Sequence, residues 1–110
     1  MPLSTHVLDL SRGAPAAGLD VTLSRVDEDR ATTVATGATD GDGRIAAPFG
    51  GELAVGTYEL VFAVGAYFAR QGATSFYAEI PVRFRVESDT AHYHVPLLLS
   101  PWGYSTYRGS

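Results

Sequence analysis

The chain has 110 residues, a net charge of −4, 45% hydrophobic residues and 18% charged residues. This length suits one domain of roughly 100–200 residues, and the composition argues against disorder, so we expect residues 1–110 to form a single domain. The eight basic residues are all arginine and are scattered, which excludes the basic patch of a nucleic-acid-binding protein, and the lack of cysteine excludes disulfides and a thiol nucleophile.

The amino-terminal half is predicted to consist of short strands joined by turns. The first strand covers residues 3–10, and its alternation places Ser4, His6, Leu8 and Leu10 on one face. Glycine, proline and polar residues predict turns at residues 12–15, 27–30 and 40–44. The further strands predicted in this half cover residues 19–24, 32–37 and 45–48.

The carboxy-terminal half continues the same pattern, with one interruption. Residues 66–71 fit no period of two and precede Gly72, so we predict one short helix there. The strands predicted in this half cover residues 57–64, 80–87, 93–99 and 102–107. About eight short strands with frequent turns and one short helix are typical of an antiparallel sandwich, and the fold class is therefore all-β.

One predicted strand has apolar residues on both faces. Tyr93 and its alternates form a core face, while His94, Pro96 and Leu98 lie on the opposite face. A sandwich exposes the outer face of each sheet to water, and these residues are too apolar for a fully solvated surface. We expect another subunit to cover this face, or the face to line a pocket.

Two patterns raise the question of a metal site. His92 and His94 are spaced like zinc ligands on a strand, and with His6 they would make a three-histidine set. No carboxylate partner is evident, so structural or surface histidines are favoured. Asp40-x-Asp42-Gly43 resembles the start of a calcium loop, but Arg44 and Gly51 occupy positions where such a loop has oxygen ligands, so a β-turn is favoured.

The remaining chemistry-bearing side chains are histidine, arginine and a terminal hydroxyl. The chain has no Gly-x-Ser-x-Gly nucleophile motif and no glycine-rich phosphate loop. Imidazole titrates near neutrality and can act as a general base, and guanidinium can hold an oxyanion or a carbonyl-rich heterocycle. This set suits the hydrolysis of an activated carbonyl by water.

Five segments resemble the 5-hydroxyisourate hydrolases, which are transthyretin-like enzymes of urate breakdown. In order they are Thr5–Asp9, Gly13–Ala16, Thr39–Arg44, His92–Pro101 and the terminal Tyr107–Ser110. The terminal Tyr-Arg-Gly-Ser is the most specific of them. The resemblance implies a sandwich of two four-stranded sheets with one short helix, assembled as a homotetramer whose active sites lie between dimers.

The resemblance also implies a set of site residues and a reaction. The catalytic residues would be His6, Arg44, His94 and Ser110. The substrate-binding residues would be these same four together with Tyr107, Arg108 and Gly109. The substrate would be 5-hydroxyisourate, opened by water to 2-oxo-4-hydroxy-4-carboxy-5-ureidoimidazoline, with no metal and no organic cofactor needed.

Two other functions stay open at this point. A non-catalytic transthyretin-like protein could use the same channel for a small aromatic ligand, although transthyretin lacks the set His6, Arg44 and His94. A monomeric β-sandwich adhesion module would not need the polar, aromatic terminus. No segment has the features of a signal peptide or a membrane helix, so we expect a cytoplasmic protein without a membrane or nucleic-acid partner.

Overall fold

The computed structural model describes residues 2–110, which form nine strands and one helix. In chain order these are β1 (Leu3–Asp9), β2 (Ala14–Pro15), β3 (Asp20–Asp27), β4 (Arg30–Ala38), β5 (Arg44–Ile45), β6 (Gly56–Phe62), α1 (Val64–Ala69), β7 (Ile80–Val86), β8 (Tyr93–Ser100) and β9 (Gly103–Thr106). The predicted strands are all present, with ends that differ by a few residues. The segment at residues 12–15, predicted as a turn only, also contributes the two-residue strand β2.

The strands pack as two sheets, which confirms the predicted sandwich with one short helix. The first sheet has the order β2-β1-β8-β9, and β5 also pairs with β1. Strands β2 and β5 follow one another along the same edge of β1, because β2 pairs with residues 8–9 and β5 with residues 5–6. The second sheet has the order β4-β3-β6-β7 and is antiparallel throughout.

One strand pair departs from the predicted antiparallel arrangement. Strands β1 and β8 run parallel, in a register that joins Leu3 to Tyr93 and Asp9 to Leu99. The alternation of side chains is the same in parallel and antiparallel strands, so the pattern of either strand alone could not show this. The parallel register has a functional consequence, since it sets which residue of β1 stands beside each residue of β8.

The core lies between the two sheets and follows the predicted alternation. The buried residues of β8 are the predicted ones, Tyr93, Val95, Leu97 and Leu99. In β1 every second residue from Leu3 to Asp9 is buried, and the residues between them are only half-buried. The alternation therefore turns Ser4, His6 and Leu8 away from the core, as predicted.

The helix begins two residues before its predicted start. Strand β6 ends at Phe62, and α1 buries Val64, Tyr67 and Phe68, which recur at the helical spacing of three and four residues. The alternation to residue 64 suggested a longer strand because Val64 fits both periods. Among residues 2–110 no helix is long and apolar enough to cross a membrane.

A buried carboxylate joins this helix to the first strand. Asp9 has no exposed surface, and its Oδ2 accepts a hydrogen bond from the Tyr67 hydroxyl at 2.8 Å. Its Oδ1 accepts from the backbone amide of Ser11 at 3.0 Å and from the Ser11 hydroxyl. Because a buried charge is costly unless hydrogen-bonded, these three donors are what allow the carboxylate to lie at the end of β1.

Candidate active site

Strand register brings three of the predicted site residues together on the outer face of the first sheet. His6 is the cross-strand partner of Arg44, and in the parallel pair it stands beside Pro96. His94 lies two residues before Pro96 on β8, so it is the diagonal neighbour of His6 on the same face. Directly opposed Cβ atoms of an antiparallel pair, such as His6 and Arg44, lie about 4.5–5.5 Å apart. Both residues also act electrostatically on His94, so all three side chains are within reach of one small ligand.

Arg44 is presented by a tight turn that precedes β5. Asp40 Oδ1 accepts hydrogen bonds from the amides of Asp42 at 2.9 Å and Arg44 at 3.0 Å. Both amides lower the pKa of Asp40 below its usual value, and the amide of Arg44 has the larger effect. Gly43 has φ 75° there, and a Cβ would come within 2.5 Å of the Val7 carbonyl oxygen. The favoured β-turn is therefore confirmed, and its closeness to β1 places Arg44 opposite His6.

His94 is half-buried and bonded through one ring nitrogen. The Ser4 Oγ lies 2.8 Å from His94 Nδ1, across the β1–β8 register in which these two residues are direct partners. Burial lowers the pKa of His94 below the usual histidine value, and the charges of Arg44, His6 and His92 lower it further. A hydrogen bond to the backbone of Ser4 acts in the opposite direction and raises the pKa. His94 is therefore neutral at pH 7 and can accept a proton.

The carboxy-terminal tail lies against His94. Gly109 forms an isolated antiparallel bridge with His94, and its amide donates to the His94 carbonyl at 2.7 Å. A Cβ added to Gly109 would come within 2.5 Å of His94 Cδ2. Only glycine leaves space for the imidazole, which gives a physical reason for glycine in the terminal motif. Ser110 follows directly and is exposed.

Arg108 points away from this cluster. Its guanidinium carbon lies 4.7 Å from the centre of the Tyr93 ring, and its Nη2 donates to the His92 carbonyl at 3.4 Å. Tyr93 belongs to the core face of β8, opposite to His94. Tyr107 is 59% exposed. Tyr107 and Arg108 line a cavity of about 240 Å³ at the open side of the sandwich, between β7 and the end of β9. Within one chain, Arg108 and the His94 side chain thus lie on different faces.

The outer apolar face is smaller than the sequence predicted. Pro96 is already buried within the single chain, where it stands beside His6, and Leu98 is half-buried beside its β1 partner Leu8. Leu10, at the end of the same face, is 58% exposed. The expectation that another subunit covers this face, or that it lines a pocket, therefore concerns Leu98 and Leu10, because neighbouring strands of the same chain already cover Pro96.

The zinc alternative gains no support from the geometry. His92 precedes β8, and its side chain is exposed. Among residues 2–110 no group of three or more His, Cys, Asp or Glu side chains is arranged to hold a metal ion. The calcium alternative is weakened as well, because the amides of its own turn engage the Asp40 Oδ1.

The fold and the sequence both have close counterparts among known proteins. The model of the HIUase/Transthyretin family matches residues 3–109. A 5-hydroxyisourate hydrolase of Mesorhizobium japonicum is 50% identical, with 98% of this chain and 91% of the relative covered. The solved structure of Klebsiella pneumoniae 5-hydroxyisourate hydrolase is 42% identical and covers 100% of each chain at a TM-score of 0.88. Transthyretin from Sparus aurata has the same TM-score of 0.88 at 33% identity, covering 98% of this chain and 96% of that one.

The equal TM-scores show that the backbone alone defines a transthyretin-like sandwich and does not distinguish a hydroxyisourate hydrolase from a transthyretin. The chain belongs to the HIUase/transthyretin family, whose model spans nearly all of it. The higher identity to the hydrolases confirms the resemblance drawn from the sequence motifs and the expectation of a hydrolase.

Sequence reasoning did not single out Ser4 or Asp9. The alternation of β1 placed Ser4 on the face of His6, and that signal was available in the sequence. Its contact with His94 depends on the parallel register of β1 and β8, which no local pattern reports. The bond between Asp9 and Tyr67 joins residues 58 positions apart and left no local signal.

Proposed function

We propose that this protein hydrolyses 5-hydroxyisourate to 2-oxo-4-hydroxy-4-carboxy-5-ureidoimidazoline, as a step of urate breakdown. The observation that carries the proposal is the meeting of His6, Arg44 and His94 on one sheet face. Relatives that bear this enzyme's name, at about half identity over nearly the whole chain, supply the substrate. No metal or organic cofactor is required by this residue set.

The proposed reaction begins with water attacking a ring carbonyl. One of the two histidines, His94 or His6, removes the proton from the water as it attacks. Burial and the charge of Arg44 favour the neutral form of His94 that this role requires. Arg44 stabilises the negative charge that develops on the carbonyl oxygen. The C–N bond then breaks, and the second histidine or water returns a proton to the departing nitrogen, which opens the ring.

The tail is proposed to complete the site. Gly109 holds the tail against His94, and the adjacent Ser110 orients the substrate or a histidine. Arg108, which lies over Tyr93, would anchor the tail and affect the substrate through that anchor. Tyr107, which lines the cavity beside β7 within one chain, would form part of the channel wall in the assembled protein.

We propose a homotetramer in which a second dimer closes the site. In one chain the site is an open face, with Leu8 and Leu98 half-buried and Leu10 exposed at its margin. A channel between dimers would exclude bulk water while admitting the attacking water molecule, and the lower polarity would strengthen the electrostatic effect of Arg44. Size-exclusion chromatography with light scattering tests this, and a monomer would contradict it. A cytoplasmic location stays a prediction.

The alternative is a binding protein without turnover. The observation that favours it is the TM-score of 0.88 to a sea bream transthyretin that was solved in complex with thyroxine. The two functions separate in one assay, in which urate oxidase generates 5-hydroxyisourate and its decay is followed by absorbance. The enzyme accelerates the decay catalytically at substoichiometric concentration. A carrier slows the decay or leaves it at the spontaneous rate.

A further inference from the structure

A hydroxyl on the first strand contacts the ring of His94. Ser4 and His94 are direct partners in the parallel register, and both side chains lie on the outer face of the sheet. The Oγ–Nδ1 distance of 2.8 Å is that of a well-formed hydrogen bond. Gly109 packs against Cδ2 of the same ring. The ring is thus bounded on two sides, and Nε2 is the nitrogen that remains for chemistry.

The chemistry of a hydroxyl suits this position. When Nε2 takes a proton, Nδ1 carries a hydrogen as well, and the serine oxygen can accept that hydrogen bond. A carboxylate at the same place would also accept it, but its charge would raise the pKa of His94 strongly. A serine therefore orients the ring while leaving the pKa low enough for a neutral histidine at pH 7.

We propose that Ser4 is a positioning residue for His94. By occupying Nδ1, the Ser4 hydroxyl directs Nε2 of the same ring toward the substrate. The proposal rests on the proposed function for its effect on turnover. Its structural part, the occupied Nδ1, concerns the resting protein and can be tested without substrate. Ser4 itself does not touch the reacting atoms in this account.

The experiment compares Ser4→Ala with Thr5→Val in the full-length protein. Thr5 is the matched control, since its hydroxyl also joins β1 to β8, by donating to the Val95 carbonyl at 2.7 Å on the core face. We expect Ser4→Ala to lower kcat about tenfold, the loss expected for one net hydrogen bond. Thr5→Val should lower the thermal midpoint while leaving kcat within about twofold of the wild type, because the ring of His94 keeps its partner.

The second readout is the ¹⁵N resonance of His94 Nδ1 in the resting protein. It should show a hydrogen-bonded nitrogen in the wild type and in Thr5→Val, and it should shift in Ser4→Ala. Ser4→Thr, which keeps the hydroxyl, should restore the wild-type resonance and kcat to within about threefold. An unbonded Nδ1 in the wild type, or an equal loss of kcat in Ser4→Ala and Thr5→Val, would overturn the proposal. If the wild type has no hydrolase activity at all, the proposed function fails while the resonance still decides the role of Ser4.

Discussion

Gly109 and His94 contact each other so closely that any side chain at position 109 would displace one of them. The Gly109 amide donates to the His94 carbonyl at 2.7 Å, and a Cβ would lie 2.5 Å from the imidazole Cδ2. No real Cβ contact is that short, so a larger residue would displace either the tail or the ring. The tail and the His94 ring therefore pack as one structural unit.

Gly109→Ala should reduce kcat by about 100-fold, because a displacement of about 1 Å at a reacting group has that effect. Stability should change little, since the tail is largely exposed. Gly103→Ala is the matched control: it adds the same methyl group on β9, where the nearest atom beyond its chain neighbours, Ser100 Oγ, is 4.0 Å away. Steady-state kinetics and thermal unfolding of the two variants decide the matter. Equal activities in both would show that the contact does not position His94.

The neutral state of His94 predicts a pH dependence. Burial first, then the charges of Arg44, His6 and His92, lower the pKa of this imidazole below 6.5 in the folded protein. The unfolded chain therefore binds more protons in the window between the folded pKa and 6.5. The stability that His94 contributes is complete above pH 6.5 and is lost as the pH falls through this window.

Proton NMR titration of the His94 ring measures this directly. We expect a midpoint below 6.5, and an acid limb of kcat/KM in the same window if His94 is the general base. The His94→Gln variant should show a weaker dependence of unfolding free energy on pH there. A His94 midpoint at or above 6.5 would remove the electrostatic basis for a neutral base.

Ser110 follows Gly109 directly, and two variants test whether its hydroxyl takes part in the reaction. Ser110→Ala removes the hydroxyl, whereas Ser110→Thr keeps it. We expect Ser110→Ala to lower kcat/KM about tenfold, the loss expected for one net hydrogen bond, and Ser110→Thr to stay within about threefold of the wild type. Unchanged kinetics in Ser110→Ala would show that the hydroxyl has no part in catalysis.

The buried carboxylate of Asp9 predicts a stability effect away from the site. Tyr67→Phe removes the hydroxyl that bonds Asp9 Oδ2 at 2.8 Å and leaves that oxygen without this donor. The free energy of unfolding should fall by about 1–3 kcal/mol, as for other buried groups that lose a partner. Tyr104→Phe on exposed β9 is the control and should change it by less than about 0.5 kcal/mol.

Urea unfolding at a fixed protein concentration measures both tyrosine variants, because subunit association would otherwise shift the apparent stability. Equal midpoints for Tyr67→Phe and the wild type would show that Ser11 alone satisfies Asp9.

The sequence predicted the sandwich because strand alternation and turn residues are local signals. The faces of β1 and β8 followed from the same alternation, which separated His6 and His94 from the core. The site residues came from the resemblance of short motifs, above all the terminal Tyr107–Ser110. The structure adds their placement: His6 meets Arg44 across one strand pair, while Arg108 turns to the other face of β8.

What the sequence could not show depends on the pairing of distant strands. The parallel register of β1 and β8 joins residues about 90 positions apart, and it alone brings Ser4 to His94. The burial of Pro96 likewise depends on neighbouring strands and not on the pattern of β8. The start of the helix was predicted two residues too late, because Val64 continues the strand alternation and also fits the apolar spacing of α1.

The most direct test of the account is the rate of 5-hydroxyisourate decay with the wild type and with His94→Asn, at equal protein concentration and pH 7. The wild type should accelerate the decay well above the spontaneous rate. His94→Asn, with its fold and subunit assembly unchanged, should lose about 10²–10⁴-fold of the catalysed rate, the usual contribution of a general acid or base. A wild type that leaves the decay at the spontaneous rate, or a folded His94→Asn variant with full activity, would contradict the account.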